Sequence, residues 1–157
     1  METPSPHPDL DALAADLFRY FSRFEYALKA TQYLTRANGD ATPDWDGFAL
    51  RVEKRVSRLD DAAYRAAAGY ILAHPPKKQV VRDGALDWDD GPPGELPPNQ
   101  LALLYVRRVR NNLFHGGKFN GRWFAPERSG ELLRSSLVIL RTSLEAEPNV
   151  NRAFAVT

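Results

Sequence analysis

The 157-residue chain contains no cysteine. Disulfides and thiolate metal sites are therefore excluded, and a reducing compartment, the cytoplasm, is expected. Its three histidines, His7, His74 and His115, are too scattered to give a ligand pair, so no metal is expected. No serine sits in a nucleophile elbow, and no glycine-rich loop opens a helix, which argues against acyl-transfer chemistry and a phosphate-cradling loop. No apolar run approaches the roughly 20 residues of a membrane span, so no membrane partner is expected. Residues 1–8 hold three prolines and no apolar segment, which makes a secretory leader unexpected. The net charge is only +1, so any attraction for nucleic acid must come from a local patch.

The apolar content, 43%, and the length suit one globular domain with a real core. Residues 1–8 read as a disordered tail, 9–147 as the domain and 148–157 as a C-terminal tail. Leu10, Leu13, Leu17, Phe21, Phe24 and Leu28 recur at helical steps, and Asn38-Gly39 is the expected end of this first helix. Thr42-Pro43 offers a cap and first-turn proline to a second helix carrying Phe48, Val52 and Val56. An alanine-rich third helix over about 60–73 stops at His74-Pro75.

Residues 75–98 hold six prolines and three glycines. They read as a surface insert, either mobile or a partner surface, with one small hairpin about Asp83-Gly84. Asn99 is the expected cap of a fourth helix through Leu101, Tyr105, Val109 and Leu113, closed by Gly116-Gly117. A short loop with Asn120-Gly121 leads to a last helix, from 127–131 to about 145, which Pro148 ends. The expected fold is all-α: a bundle of about five helices with one long insert before the fourth.

The end of the fourth helix carries the chemistry. Taking Val106 as zero, Arg110 projects at about 40°, between Val109 and Leu113 on one side and Leu103 and Phe114 on the other. A guanidinium inside an apolar stripe is either paired, for which Glu25 is the candidate acid, or part of a site. No Asp or Glu occurs between Leu96 and Pro126, whereas Arg107, Arg108, Arg110, Lys118 and Arg122 do. Anions collect at such a patch. His115 stands directly before the glycine pair. It is either a helix-end residue or an imidazole near neutral pKa that swings back toward Arg110. Phe114, Phe119, Trp123 and Phe124 are expected as core or dimer contacts, with base stacking the alternative.

The string Arg110-Asn111-Asn112-Leu113-Phe114-His115 resembles the Arg-x4-His motif of the HEPN superfamily, the higher eukaryote and prokaryote nucleotide-binding domains. Gly116-Gly117-Lys118 and Arg23-Phe24-Glu25-Tyr26 are similar to small stand-alone bacterial and plasmid members. The likeness covers roughly 9–38 and 98–146, and the insert has no counterpart. It implies a HEPN-like helical homodimer that cleaves RNA without metal or cofactor, as a toxin or phage-defence effector. Arg110, His115 and Asn111 would be catalytic, Arg107, Arg108, Lys118 and Arg122 would hold RNA, and Glu25 and Arg23 would support. The alternative is a non-catalytic HEPN module paired with a nucleotidyltransferase antitoxin or another partner.

Overall fold

The first helix, α1, spans Pro8–Ala30 and buries the expected stripe of Leu10, Leu17, Phe21, Phe24 and Leu28. Pro8 occupies its first turn, where a missing N–H costs nothing, and Asp9 and Asp11 lie at the positive end of its dipole. The structure, a computed structural model, describes residues 7–89, 91, 93–114, 118–119, 122–123 and 125–157.

The helix α1 ends eight residues before Asn38-Gly39. Gln32 turns left-handed at φ 85°, and the Tyr33 N–H returns to the Leu28 carbonyl at 3.1 Å. This is a Schellman stop. The Thr31 hydroxyl reinforces it by donating to Ala27 O at 2.6 Å. Packing drives the reversal: it brings Tyr33 edge-on to Phe48, ring centroids 5.6 Å apart, and its hydroxyl to Glu147 at 2.9 Å. Gly39 instead sits in a loop closed by a Leu34–Pro43 bridge.

The second helix, α2 (Trp45–Arg58), is capped by Asp44 rather than Thr42, its carboxylate accepting the Gly47 N–H at 2.9 Å. A Cβ at Gly47 would collide with that carboxylate, so the cap requires glycine there. The third, α3 (Ala62–Ala73), is capped by Asp61. The fourth, α4, runs Pro98–Phe114. Asn99, expected as its cap, lies inside its first turn and is buried. Its Oδ1 accepts from the Tyr64 hydroxyl, and its Nδ2 donates to Ser57 Oγ at 2.8 Å and Glu53 Oε1 at 3.1 Å. Glu53 also accepts the Gln100 N–H at 3.0 Å, so α2 supplies the carboxylate that caps α4.

The fifth helix, α5 (Pro126–Glu145), packs against α1, α3 and α4 and carries the buried Leu133, Leu137, Leu140 and Leu144 of the expected seam. The segment expected as a C-terminal tail is instead α6 (Pro148–Ala155). Pro148 opens this helix, Glu147 caps it through the Asn149 N–H at 3.2 Å, and Val150 and Phe154 are buried. The core joins these layers through Phe24, Trp45 and Phe48, and continues through Ile71, Val106 and Ile139. The architecture is the all-α bundle expected from periodicity, with a sixth helix added among the described residues. No helix among them is long and apolar enough to cross a membrane.

The insert contains the expected hairpin. Strands β1 (Lys78–Arg82) and β2 (Ala85–Asp89) pair antiparallel with Arg82 opposite Ala85. Asp83 and Gly84 have φ of 51° and 75°, the two positive angles of a type I′ turn. The insert is also tied down: Asn112 Nδ2 donates to Lys77 O at 2.8 Å, and Arg128 reaches Pro75 O at 3.0 Å. A second ladder, β3 (Lys118–Phe119) with β4 (Arg122–Trp123), flanks Asn120-Gly121 in sequence, where a loop alone was expected.

Candidate functional site

The last turns of α4 gather Arg107, Arg108, Arg110, Asn111 and Asn112 on one stretch of helix. Arg110 is half-buried, as its place in the apolar stripe implied. Its guanidinium carbon lies 5.4 Å from the centre of the Phe21 ring and 5.2 Å from that of Phe114. Both contacts are within cation–π range. Phe21 stacks inward on Trp45, centroids 5.0 Å apart, so the guanidinium rests on the edge of the core. Phe114 stacks outward on Phe18 at 6.4 Å with the rings 5° from parallel. The expectation of a core role for Phe114 is corrected: it is 61% exposed and Phe18 is 50% exposed. Phe114 is the last residue of α4, beyond the reach of the layers that bury Val106 and Val109.

Arg110 Nη1 donates to Asn111 Oδ1 at 3.0 Å. Among the described residues no carboxylate is within salt-bridge distance of it. Glu25, the candidate partner, instead accepts the Trp45 indole N–H at 3.0 Å. Arg23 lies over the Phe154 ring at 4.3 Å and donates to Phe154 O at 3.0 Å, bracing α6. Both residues of the first-helix signature are therefore engaged in packing α1 against its neighbours.

Arg107 forms a 3.3 Å ion pair with Asp46, at the start of α2. Arg108 lies 5.4 Å over the Tyr105 ring, and its Nη1 is buried without a hydrogen-bond partner among the described residues. Lys118 and Arg122 stand in β3 and β4, of which the backbone pairing is described. His115, Gly116, Gly117 and Phe124 lie outside the described residues.

No family model, curated protein or solved structure matches the chain.

Arg110 keeps a permanent positive charge, is oriented by two ring faces and one amide, and meets no fixed counter-charge among the described residues. Such a group binds an oxyanion through two parallel N–H bonds. Sequence reasoning missed Lys78 and Gln79, which the docked hairpin brings against this basic stretch of α4, and the role of Asn112 in tying the hairpin there. The only local signal was the Lys77-Lys78 pair at the edge of the insert.

Proposed function

We propose that the chain is a HEPN-type endoribonuclease that cleaves RNA without a metal, acting as a toxin or phage-defence effector in the cytoplasm. The observation that carries the reading is Arg110: a half-buried guanidinium at the end of α4, held on ring faces and free of ion pairing among the described residues. Its sequence neighbour four positions past Asn111, His115, supplies the acid–base group. In the proposed reaction an imidazole takes the proton of a ribose 2′-hydroxyl, and the 2′-oxygen attacks the adjacent phosphorus. The bond to the 5′-oxygen breaks as a second imidazole protonates that oxygen, leaving a cyclic phosphate and a free 5′-hydroxyl. The second imidazole comes from a second copy across a two-fold axis. Arg110 stabilises the crowded phosphate, and Asn111 fixes the guanidinium. Arg107, Arg108, Lys118 and Arg122 draw in the strand.

The test is RNA cleavage by the purified protein in the presence of a chelator. Cleavage is expected for the parent protein and is lost in Arg110→Ala and His115→Ala variants that keep the helical circular dichroism signal. Undiminished cleavage by both variants would refute the proposal. The second reading is a non-catalytic HEPN module that docks a nucleotidyltransferase. The exposed Phe18–Phe114 stack favours it, since exposed aromatic pairs suit a protein contact. Stable complex formation without cleavage would distinguish it.

A further inference from the structure

The hairpin of the insert is a two-stranded sheet whose two edges differ. The β1 side meets α4: the carbonyl of Lys77, which leads into β1, accepts from Asn112 at 2.8 Å. No described residue pairs with the outer edge of β2. The register fixes what that edge presents. A two-residue turn makes Arg82 and Ala85 a hydrogen-bonded pair, and alternation then bonds Val80 with Asp87 and Lys78 with Asp89. The backbone N–H and C=O groups of Leu86 and Trp88 therefore point away from β1. The Trp88 N–H agrees with this direction, for it donates to the side chain of its own neighbour, Asp87 Oδ1, at 2.8 Å. The other oxygen of Asp87 pairs with Arg82.

The same alternation sorts the side chains. Val81, Leu86 and Trp88 share one face of the hairpin and are 78%, 68% and 40% exposed. On the opposite face β2 carries Asp87 and Asp89, and the strand holds no basic residue. Charge on a free edge deters indiscriminate pairing. Here the charge is of one sign and confined to one face, and one of the acids stands in for the missing backbone acceptor. A two-stranded hairpin is marginal in water and gains from a third strand.

The charges select the occupant. A second copy fits poorly, because β2 against β2 joins two strands whose only charges are acids. The basic strand of the hairpin, β1 with Lys78 and Arg82, is already engaged between β2 and α4. We propose that the outer edge of β2 docks an extended basic segment of another protein as a third, antiparallel strand. Its apolar side chains lie beside Leu86 and Trp88, and its lysines or arginines beside Asp87 and Asp89. On docking, a backbone oxygen of the partner takes the Trp88 N–H, and a partner cation takes the carboxylate that this frees. The surface uses neither Arg110 nor His115, so it goes beyond the cleavage reading and stands if that reading fails.

The test is fluorescence polarisation with the full chain and a labelled seven-residue peptide of alternating lysine and valine. Saturable binding is expected below about 1 mM. In the proposed register the valines face Leu86 and Trp88, so their N–H groups join the ladder and those of the lysines do not. N-methylation of the valines is expected to abolish binding, and N-methylation of the lysines to spare it. Leu86→Pro removes one outward N–H and leaves the β1 ladder intact, and Asp87→Lys reverses the edge charge. Each is expected to weaken binding by about tenfold or more, the weight of a charged hydrogen bond. No binding, equal binding of an alternating lysine–serine peptide, or binding that both variants retain overturns the proposal. So does a dimer in sedimentation that Leu86→Pro dissolves, which assigns the edge to a second copy, or cosedimentation with phosphatidylcholine vesicles, which assigns the apolar face to lipid. The methylated peptides need no protein variant, so a variant that misfolds leaves the test decisive.

Discussion

At the first turn of α4 the buried Asn99 has both side-chain polar atoms bonded, to Tyr64, Ser57 and Glu53. Nine residues on, Arg108 has a buried nitrogen bonded to none of the described residues. The two positions share one helix and lie about 14 Å apart along its axis. The first is a closed network, in which Asn99 donates to Ser57 and Glu53 of α2 and accepts from the Tyr64 hydroxyl of α3, and it serves to register three helices. The second is an open one, in which Arg108 and Arg110 are braced by rings and only Arg107 by an acid, Asp46. A satisfied polar network rigidifies the fold, whereas an unsatisfied buried donor costs it stability.

Four measurements would break or sharpen this contrast. The largest effect is expected at the open end: Arg110→Ala should reduce RNA cleavage by about 100-fold or more, as loss of a transition-state charge partner does, with little change in melting temperature. Next, Asn99→Ala should destabilise the protein by about 2–3 kcal/mol in urea unfolding, because the Tyr64 hydroxyl loses its acceptor and Ser57 and Glu53 each lose a donor. It should leave RNA cleavage by the folded fraction unchanged. Third, Arg108→Met should change stability by less than about 1 kcal/mol, since it removes an unpaired buried donor and keeps an apolar stem. A loss as large as that of Asn99→Ala would erase the distinction between the two ends.

The smallest effect is one of pH. Burial, and then the bond to Glu147, pushes the Tyr33 phenol up to about 12, and burial followed by the charge of Glu53 raises that of Tyr64. An unfolded tyrosine ionises near pH 10. Above that value the unfolded chain has lost protons that the native state retains, so these tyrosines' contribution is complete below pH of about 10 and declines as pH rises toward about 12. Melts across this range should show the decline, and Tyr33→Phe should flatten part of it. Unchanged stability would remove the phenols from the closed networks.

What the sequence made legible was local. The stripe from Leu10 to Leu28 announces α1 because a 3.6-residue period leaves one face to bury. Asp83-Gly84 announces a hairpin because few other pairs tolerate two positive φ angles. The end of α1 was not legible. Gln32 is a poor left-handed residue, and it is held there by what Tyr33 gains against Phe48 and Glu147. Helix α6 is not legible because a proline such as Pro148 suits a helix stop and a first turn equally, and only the fold shows Glu147 acting as its cap. At the site, Arg110 was visible as a charge within an apolar stripe, and Phe114 follows it by one helical turn. Its other support, Phe21, and the approach of Lys78 to Arg108 depend on packing between distant segments, which no short pattern encodes.

The carboxylate that caps α4 comes from Glu53, in another helix. Pro98 pre-sets the first turn of α4, but the carboxylate that meets its free N–H groups comes from outside the helix, and initiation is the costly step of helix formation. The opening turn of α4 is satisfied only with α2 in place, so the rod that carries the arginines takes its first anchor from outside. Cut free as a peptide, residues 97–114 would fray from the front, and the arginines would lose the fixed spacing on which their cooperation depends.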